Sequence, residues 1–213
     1  MPDVIPYLPS LGDCRRWMAL RVAGLDTAEA WRRAVPLPGR SDASGRRHAL
    51  RALTRTLVAG AHGQEPVTLT VPLVGGASAV KRGDTEAWRV SMHGDWIRRH
   101  RGALLTAYSA TPYYTHFMPL LDDVYASMRE GDAFAGFSTA LFSVVEKVPG
   151  MESVEWLGDL RSDPRARCIC REKSAGLHTS LSVFDVIFKR GPELPLILMH
   201  STPDDAVELT GTH

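Results

Sequence analysis

A helical pattern in the middle of the chain constrains the fold most strongly. Residues at spacings of four, three and four positions form one face of this predicted helix: Trp96, His100, Ala103 and Ala107. Asp95 precedes them at the position of an N-cap, where its carboxylate can accept hydrogen bonds from the first turn. Thr111-Pro112 is expected to stop the helix, because a residue before proline is disfavoured in the α region. The sequence therefore predicts a helix whose inward face combines an indole with an imidazole.

Histidine and tyrosine side chains flank this helix at both ends. His93 precedes it, and Tyr113, Tyr114 and His116 follow it. One interpretation is a core helix with a single hydrogen-bonded histidine, since inward histidines are usually structural. The other interpretation is a ligand site at which the flanking side chains converge with His100. The sequence leaves both interpretations open.

Two stretches of alternating apolar residues predict β-strands before this helix. Residues 67–73 alternate apolar and polar side chains, and Pro72 places the end of that strand at a sheet edge or a bulge. Residues 88–92 alternate again and lead directly into the predicted helix. The same criterion predicts two later strands: residues 154–156 and 166–170.

Helices are predicted over much of the remaining chain. A helix that begins near Leu11 can be capped by Ser10 or Asp13. Helical periodicity also marks three segments toward the C-terminus: residues 113–128, 132–147 and 181–189. Together these elements predict one α/β domain over residues 1–202 and a short polar tail over residues 203–213. Its sheet is expected to be mixed or mostly parallel, with about four to six strands, packed helices and a helix-rich C-terminal half.

The composition is that of an ordinary globular protein. Of its 213 residues, 44% are hydrophobic and 23% are charged. A formal net charge of +1 provides no field that would attract nucleic acid, so a nucleic-acid partner is not expected. No apolar run approaches the length of about 18 residues that a membrane span needs, and the first residues lack a secretory signal pattern. We therefore expect a cytoplasmic protein without a transmembrane segment.

The three cysteines form no recognisable framework. Cys14 stands alone, and Cys168 and Cys170 lack the second pair of ligands that a structural zinc site requires. On an alternating strand the last two would face the same way, as small buried residues. No metal site is predicted, and the sequence indicates no particular cofactor.

Four blocks of sequence resemble, in order and spacing, those of the WbqC-like protein family. The central block begins at Ser91 and reads S-x-HG-x-W-x-x-x-H-x-x-A-x-x-x-AYS-x-x-PYY. The other blocks are Gly60–Gly63 with the strand after it, Leu181–Phe188 and, more weakly, Tyr7–Ser10. The resemblance implies a bacterial protein associated with O-antigen and other surface-polysaccharide gene clusters. It also implies a role in glycine transfer.

The resemblance and the residue chemistry together suggest an acyl or aminoacyl transferase that acts on an activated sugar. Such a reaction needs a base, which His93 or His100 can provide, with Asp95 or Asp185 to orient it. No serine or cysteine nucleophile motif is present, so direct transfer is expected. The remaining candidates would bind substrate: Trp96, Tyr113 and Tyr114 by stacking on a sugar, Arg46 and Arg47 by holding an acidic group, and Tyr108 and His116 beside them.

The same residues allow a second function, that of a non-catalytic nucleotide-sugar-binding or accessory protein in a polysaccharide-assembly complex. The family's basic, amide-rich segment has no counterpart here, since neither Asn nor Gln occurs before Gln64. This departure affects the roles of Arg46 and Arg47 and leaves open whether this member is active. The two functions differ in whether His93 and His100 converge with an acidic group in a pocket that is open to solvent.

Overall fold

The computed structural model describes residues 5–22, 24–34, 48, 50–82, 84–151 and 181–199. Within them the protein is mostly helical. The helices, in chain order, are α1 (Leu11–Val22), α2 (Thr27–Ala34), α3 (Gly76–Arg82), α4 (Trp96–Tyr108), α5 (Tyr114–Ser127), α6 (Phe134–Glu146), α7 (Val183–Arg190) and α8 (Leu194–Leu198). Single turns of 3-10 helix cover Ala61–Gly63 and Gly191–Glu193. A helical turn over residues 50–53 leads into the first strand.

The predicted central helix is confirmed as α4. Its buried face consists of Trp96, His100, Leu104 and Tyr108. Asp95 occupies the N-cap position, but its side chain makes no capping hydrogen bond and lies 2.7 Å from the guanidinium of Arg98 instead. The helix ends at Tyr108, before Thr111, whose hydroxyl donates to the Tyr108 carbonyl at 2.6 Å. Periodicity therefore identifies the helix and two of its inward residues, Trp96 and His100. Ala103 and Ala107 of the predicted face are only half-buried, and the Asp95 side chain does not cap the helix.

Serine residues begin two of the helices. The hydroxyl of Ser10 accepts the Asp13 N–H at 3.0 Å, and the Asp13 carboxylate accepts the Ser10 backbone N–H at 3.2 Å. This reciprocal pair is a capping box and confirms the predicted start of α1. Ser182 begins α7 by accepting the N–H of Phe184. These first-turn amide groups are therefore already paired within the protein.

The sheet is much smaller than predicted. Strands β1 (Arg55–Val58) and β2 (Val67–Thr70) pair antiparallel, with Arg55 opposite Thr70. The predicted α/β fold with a mixed or mostly parallel sheet of four to six strands is therefore wrong, because the described residues form a mostly helical fold with a two-stranded antiparallel sheet.

Local chemistry explains why the predicted strands before α4 do not extend the sheet. Pro72 has no N–H to donate, and the ladder ends at Thr70. Residues 88–92 form only isolated bridges, Val90 with Leu73 and Arg89 with Ala133. Alternating burial shows that this segment is extended with one side in the core, but it does not require a neighbouring strand. The strands predicted at 154–156 and 166–170 and the predicted tail lie outside the described residues.

Three distant parts of the chain meet in what we call the backbone junction. Four hydrogen bonds form it: Tyr7 N–H to the Leu53 carbonyl (2.8 Å), Leu11 N–H to the Leu181 carbonyl (2.9 Å), Ser182 N–H to the Leu57 carbonyl (2.7 Å) and Val183 N–H to the Pro9 carbonyl (2.8 Å). The hydroxyl of Thr56 adds a bond to the Leu8 carbonyl at 2.8 Å. Residues 7–11 are thereby fixed between β1 and the beginning of α7.

The end of α7 is fitted closely to the segment between α4 and α5. Gly191 follows α7 with a φ of +48°, and a Cβ added to it would lie 2.7 Å from ring atoms of Tyr113. The N–H of Tyr113 donates to the Phe188 carbonyl at 3.1 Å. Glycine is therefore required at position 191, both for its backbone conformation and for the approach of the tyrosine ring.

We predict that Gly191→Ala destabilises the protein by about 2–4 kcal/mol, because it adds left-handed backbone strain to a clash with Tyr113. The matched control is Gly102→Ala in α4, where nothing lies within 4 Å of an added Cβ. That substitution should stabilise the protein by roughly 0.5–1 kcal/mol. Urea denaturation of the two variants measures both effects. Equal stability of the Gly191→Ala variant and the wild type would contradict the fitted contact.

Candidate functional site

A buried chain of three polar side chains crosses the middle of α4. The Tyr7 hydroxyl lies 2.7 Å from Nδ1 of His100 and 2.6 Å from the hydroxyl of Tyr125 on α5. Tyr7, His100 and Tyr125 are all buried, with 0%, 4% and 2% of their surface exposed. We call these three residues the Tyr–His–Tyr chain. It joins the N-terminal segment to two helices that are distant from it in sequence.

Aromatic rings surround the Tyr–His–Tyr chain. The Trp96 ring meets the His100 ring edge to face at a centroid distance of 5.0 Å, and the Phe137 ring stacks on Tyr7 at 5.9 Å. Trp96 is itself buried and donates its indole N–H to the Ser91 carbonyl at 2.9 Å. The imidazole is therefore enclosed by protein, and Trp96 does not offer a free face to a sugar.

This environment fixes the protonation state of His100. Burial lowers the pKa of His100 from 6.5 to about 4, although a hydrogen bond with the backbone of Thr70 partly opposes the shift. A backbone carbonyl can only accept, so the ring nitrogen on that side carries the hydrogen. Nδ1 is then the acceptor, Tyr7 donates to it, and Tyr125 donates to Tyr7. His100 is neutral at physiological pH and fully hydrogen-bonded.

We predict that Tyr7→Phe costs about 2–4 kcal/mol of unfolding free energy, because it leaves both the His100 acceptor and the Tyr125 donor buried without partners. Tyr125→Phe removes only the end of the chain and should cost roughly 0.5–1.5 kcal/mol. Tyr113→Phe, whose hydroxyl makes no hydrogen bond among the described residues, is the control for loss of a hydroxyl. Denaturant unfolding gives the ranking. If Tyr125→Phe were the more damaging variant, the donor order would be wrong.

A second polar cluster lies at the C-terminal end of α4. Asp185 on α7 is 3% exposed, and its Oδ1 lies 2.8 Å from Nζ of Lys189 one turn later. The ammonium of Lys189 also lies 6.0 Å from the ring centroid of Tyr108. Tyr108 is fully buried, and its hydroxyl accepts the Ala59 N–H at 2.9 Å. Burial and the Asp185 carboxylate raise the pKa of Tyr108 far above its usual value, so the phenol stays protonated.

Two half-buried tyrosines surround the end of α7 beside this cluster. The Tyr113 ring packs on Gly191, and the Tyr114 ring lies 5.4 Å from that of Phe188. The side chain of Lys189 is 41% exposed, in contrast to the buried Asp185 that it pairs with. We call Tyr113, Tyr114 and Lys189 the tyrosine–lysine face. It combines partly accessible aromatic rings with the ammonium group of Lys189, which the buried Asp185 carboxylate holds in position.

The predicted catalytic residues do not come together. His93 and Asp95 are exposed at the N-terminal end of α4, whereas Asp185 lies at its C-terminal end. A helix of 13 residues is roughly 20 Å long, which is too far for direct cooperation. His100 lies between these ends and is enclosed. His93 and His100 therefore do not share an open pocket, although the roles assigned to them stay predictions.

The structure brings only some of the predicted substrate-binding residues together. Tyr108, Tyr113 and Tyr114 are all near the end of α7, and Tyr108 lies beneath the surface. His116 is exposed and packs edge to face against Phe117 at 4.7 Å. Arg46 and Arg47 lie outside the described residues. Within the described residues no three metal-binding side chains converge, and no helix is long and apolar enough to span a bilayer.

Three residues of these clusters were not among the predicted site residues: Tyr7, Tyr125 and Lys189. The spacing of Asp185 and Lys189, one helical turn apart, is a signal that sequence reasoning could have used. Tyr7 carries no such signal, since its partner His100 is 93 positions away. Contacts of this kind depend on the tertiary fold alone.

The model of the WbqC-like protein family matches residues 52–156, about half of the chain. The chain belongs to this family. The comparisons with curated proteins and with solved structures gave no match. The WbqC-like region contains His100, Tyr108, Tyr113 and Tyr125, but Tyr7 and the Asp185–Lys189 pair lie outside it. Both polar clusters are therefore completed by residues beyond the matched region.

Proposed function

We propose that this WbqC-like protein transfers an acyl or aminoacyl group, with glycine as the first candidate, to an activated sugar during assembly of a bacterial surface polysaccharide in the cytoplasm. The resemblance to the family supports the polysaccharide context. The geometry supports a binding site at the tyrosine–lysine face, and the observation that carries this proposal is the pair of buried Asp185 and half-exposed Lys189 at 2.8 Å.

A carboxylate buried beneath a half-exposed ammonium is a poor way to stabilise a core, because burial of its charge costs free energy that apolar side chains of similar volume do not incur. The Asp185–Lys189 pair is thus better explained by a task at the surface. Asp185 fixes the ammonium of Lys189, and Tyr108 is placed to hold Asp185. A lysine ammonium is a compact charge suited to phosphate oxygens, such as those of a nucleotide-sugar. The half-buried rings of Tyr113 and Tyr114 would then stack on the sugar or base.

In the transfer step, a hydroxyl or amine of the sugar forms a bond to the carbonyl carbon of an activated acyl donor. The bond from that carbon to the donor's leaving group breaks. Asp185 is the candidate to take the proton of the attacking group and pass it to the leaving group. This role requires Lys189 to move toward the anionic ligand, since Asp185 is reached past its side chain. Asp185 thus takes the role of base for which the sequence also offered His93 and His100.

One observation favours a second function, that of a non-catalytic nucleotide-sugar-binding or accessory protein. His100, the best placed imidazole in the sequence, is enclosed and neutral, and His93 lies at the far end of α4. Binding at the tyrosine–lysine face needs neither histidine. The two functions share the ligand and differ only in the chemistry that follows.

We predict that a nucleotide-sugar raises the melting temperature of the wild type by a few degrees at about 100-fold excess over its dissociation constant. The double variant Asp185→Asn/Lys189→Gln should lose this shift. Removing both charges avoids a buried unpaired carboxylate, which would otherwise cost about 3–5 kcal/mol. Lys147→Gln, at the exposed end of α6, is the matched control and should keep the full shift.

A transfer assay with radiolabelled glycine donors then separates the two functions. Transfer by the wild type that is lost in Asp185→Asn, with nucleotide-sugar binding retained, supports the enzyme. Binding without transfer supports the accessory protein. The site is placed wrongly if the double variant binds as well as the wild type does.

A further inference from the structure

The Tyr–His–Tyr chain has a property that the proposed function does not use, namely a fixed number of hydrogen atoms. It contains two links, from His100 to Tyr7 and from Tyr7 to Tyr125. With a neutral imidazole there are two hydrogens for these links, one on each phenol. Every link is made, and no hydrogen is left over.

Protonation of His100 adds a third hydrogen to the same two links. Nδ1 then donates to Tyr7, and either the Tyr7 or the Tyr125 hydroxyl must point its hydrogen elsewhere. Both phenols are buried, and neither hydroxyl makes a further hydrogen bond among the described residues. A buried donor without a partner is costly, as is the buried positive charge itself. The closed arrangement therefore disfavours the imidazolium for a geometric reason as well.

We propose that the Tyr–His–Tyr chain is an acid-sensitive clasp, which holds residues 5–10 against α4 and α5 at neutral pH and loosens when the imidazole becomes protonated. This inference is independent of the proposed function. Protonation of His100 would then weaken the hold of the N-terminal segment on α4 and α5, while the hydrogen bonds of the backbone junction do not titrate.

Among the described residues, the groups that face His100 provide no negative charge that would stabilise its protonated form. Tyr7 faces the ring from the N-terminal segment, Tyr125 from α5 and the Thr70 backbone from β2. On α4 itself, the charge of Arg99 lowers the pKa of His100 further. Burial raises the pKa of Tyr125, and the carboxylate of Asp122 on α5 adds to this shift, so Tyr125 stays a neutral phenol and supplies no anion for the imidazolium.

The sign of the effect follows from the two states. In the open state the imidazole regains its ordinary pKa of 6.5, whereas in the closed state the pKa is about 4. The open state therefore binds the proton first, and closure loses stability as the pH falls below 6.5. Between pH 7.5 and pH 5.0 the equilibrium constant for opening should increase on the order of 30-fold.

Hydrogen exchange of the wild-type chain at pH 7.5 and 5.0, corrected for intrinsic rates, tests the clasp. The Tyr7 amide, which donates to the Leu53 carbonyl, should lose on the order of 30-fold in protection, while the amides of α6 keep theirs. Equal loss in α6 would indicate global acid unfolding and overturn a local clasp. Unchanged protection at Tyr7 would overturn it as well.

His100→Asn supplies the matched variant, because its amide oxygen can accept from Tyr7 in the place of Nδ1 and does not titrate. The pH dependence of exchange at the Tyr7 amide should disappear in this variant. If it persists, another group causes the effect.

An NMR titration of the imidazoles in the wild-type protein tests the clasp even if His100→Asn fails to fold. The His100 signals should stay those of neutral imidazole at pH 6 and above, and a folded state with charged His100 at pH 6 would refute the proposal. His93→Gln, at an exposed position, should leave the exchange of Tyr7 unchanged.

Discussion

The position of Tyr7 is the constraint on which the rest of the described structure depends. Its backbone N–H bonds to the turn before β1, and its hydroxyl bonds to α4 and α5. One residue therefore fixes the N-terminal segment in two directions, along the backbone junction and across the helices. Because the Tyr7 hydroxyl is buried, it must keep its hydrogen bonds to both His100 and Tyr125. These bonds fix the position of the N-terminal segment relative to α4 and α5.

Helix α4 connects the two polar clusters and keeps them apart. His100 and Tyr108 lie on the same buried face, separated by two turns, so one cluster secures the middle of the helix and the other its end. The Tyr–His–Tyr chain is enclosed and its protonation is uniform at neutral pH, which suits a structural connection. The Asp185–Lys189 pair spans the boundary between core and solvent, which suits contact with a ligand. The same helix thus separates a buried structural connection from the proposed binding site.

The sequence predicted those structural features that depend on interactions between residues close together in the chain. The helices were identified because apolar spacing reflects burial on one face, and the capping box of Ser10 and Asp13 because its partners are neighbours in sequence. The sheet was predicted wrongly, since alternation at residues 88–92 reflects burial while pairing depends on segments far away. For the same reason neither the separation of His93 from His100 nor the enclosure of His100 could be predicted, and the roles assigned to Asp185 and Tyr113 stay predictions.

The backbone junction also bears on the order in which the chain can fold during synthesis. Residues 7–11 take their partners partly from Leu181 and Val183, which are translated after almost all of the described chain. Until then the apolar side chains of Ile5, Leu8 and Leu11 lack part of their packing, and contacts so distant in sequence form slowly. Docking of α7 onto β1 and the N-terminal segment is therefore a late step when the chain folds during synthesis. A ribosome that stalls before residue 181 leaves an incomplete core open to chaperones or to aggregation.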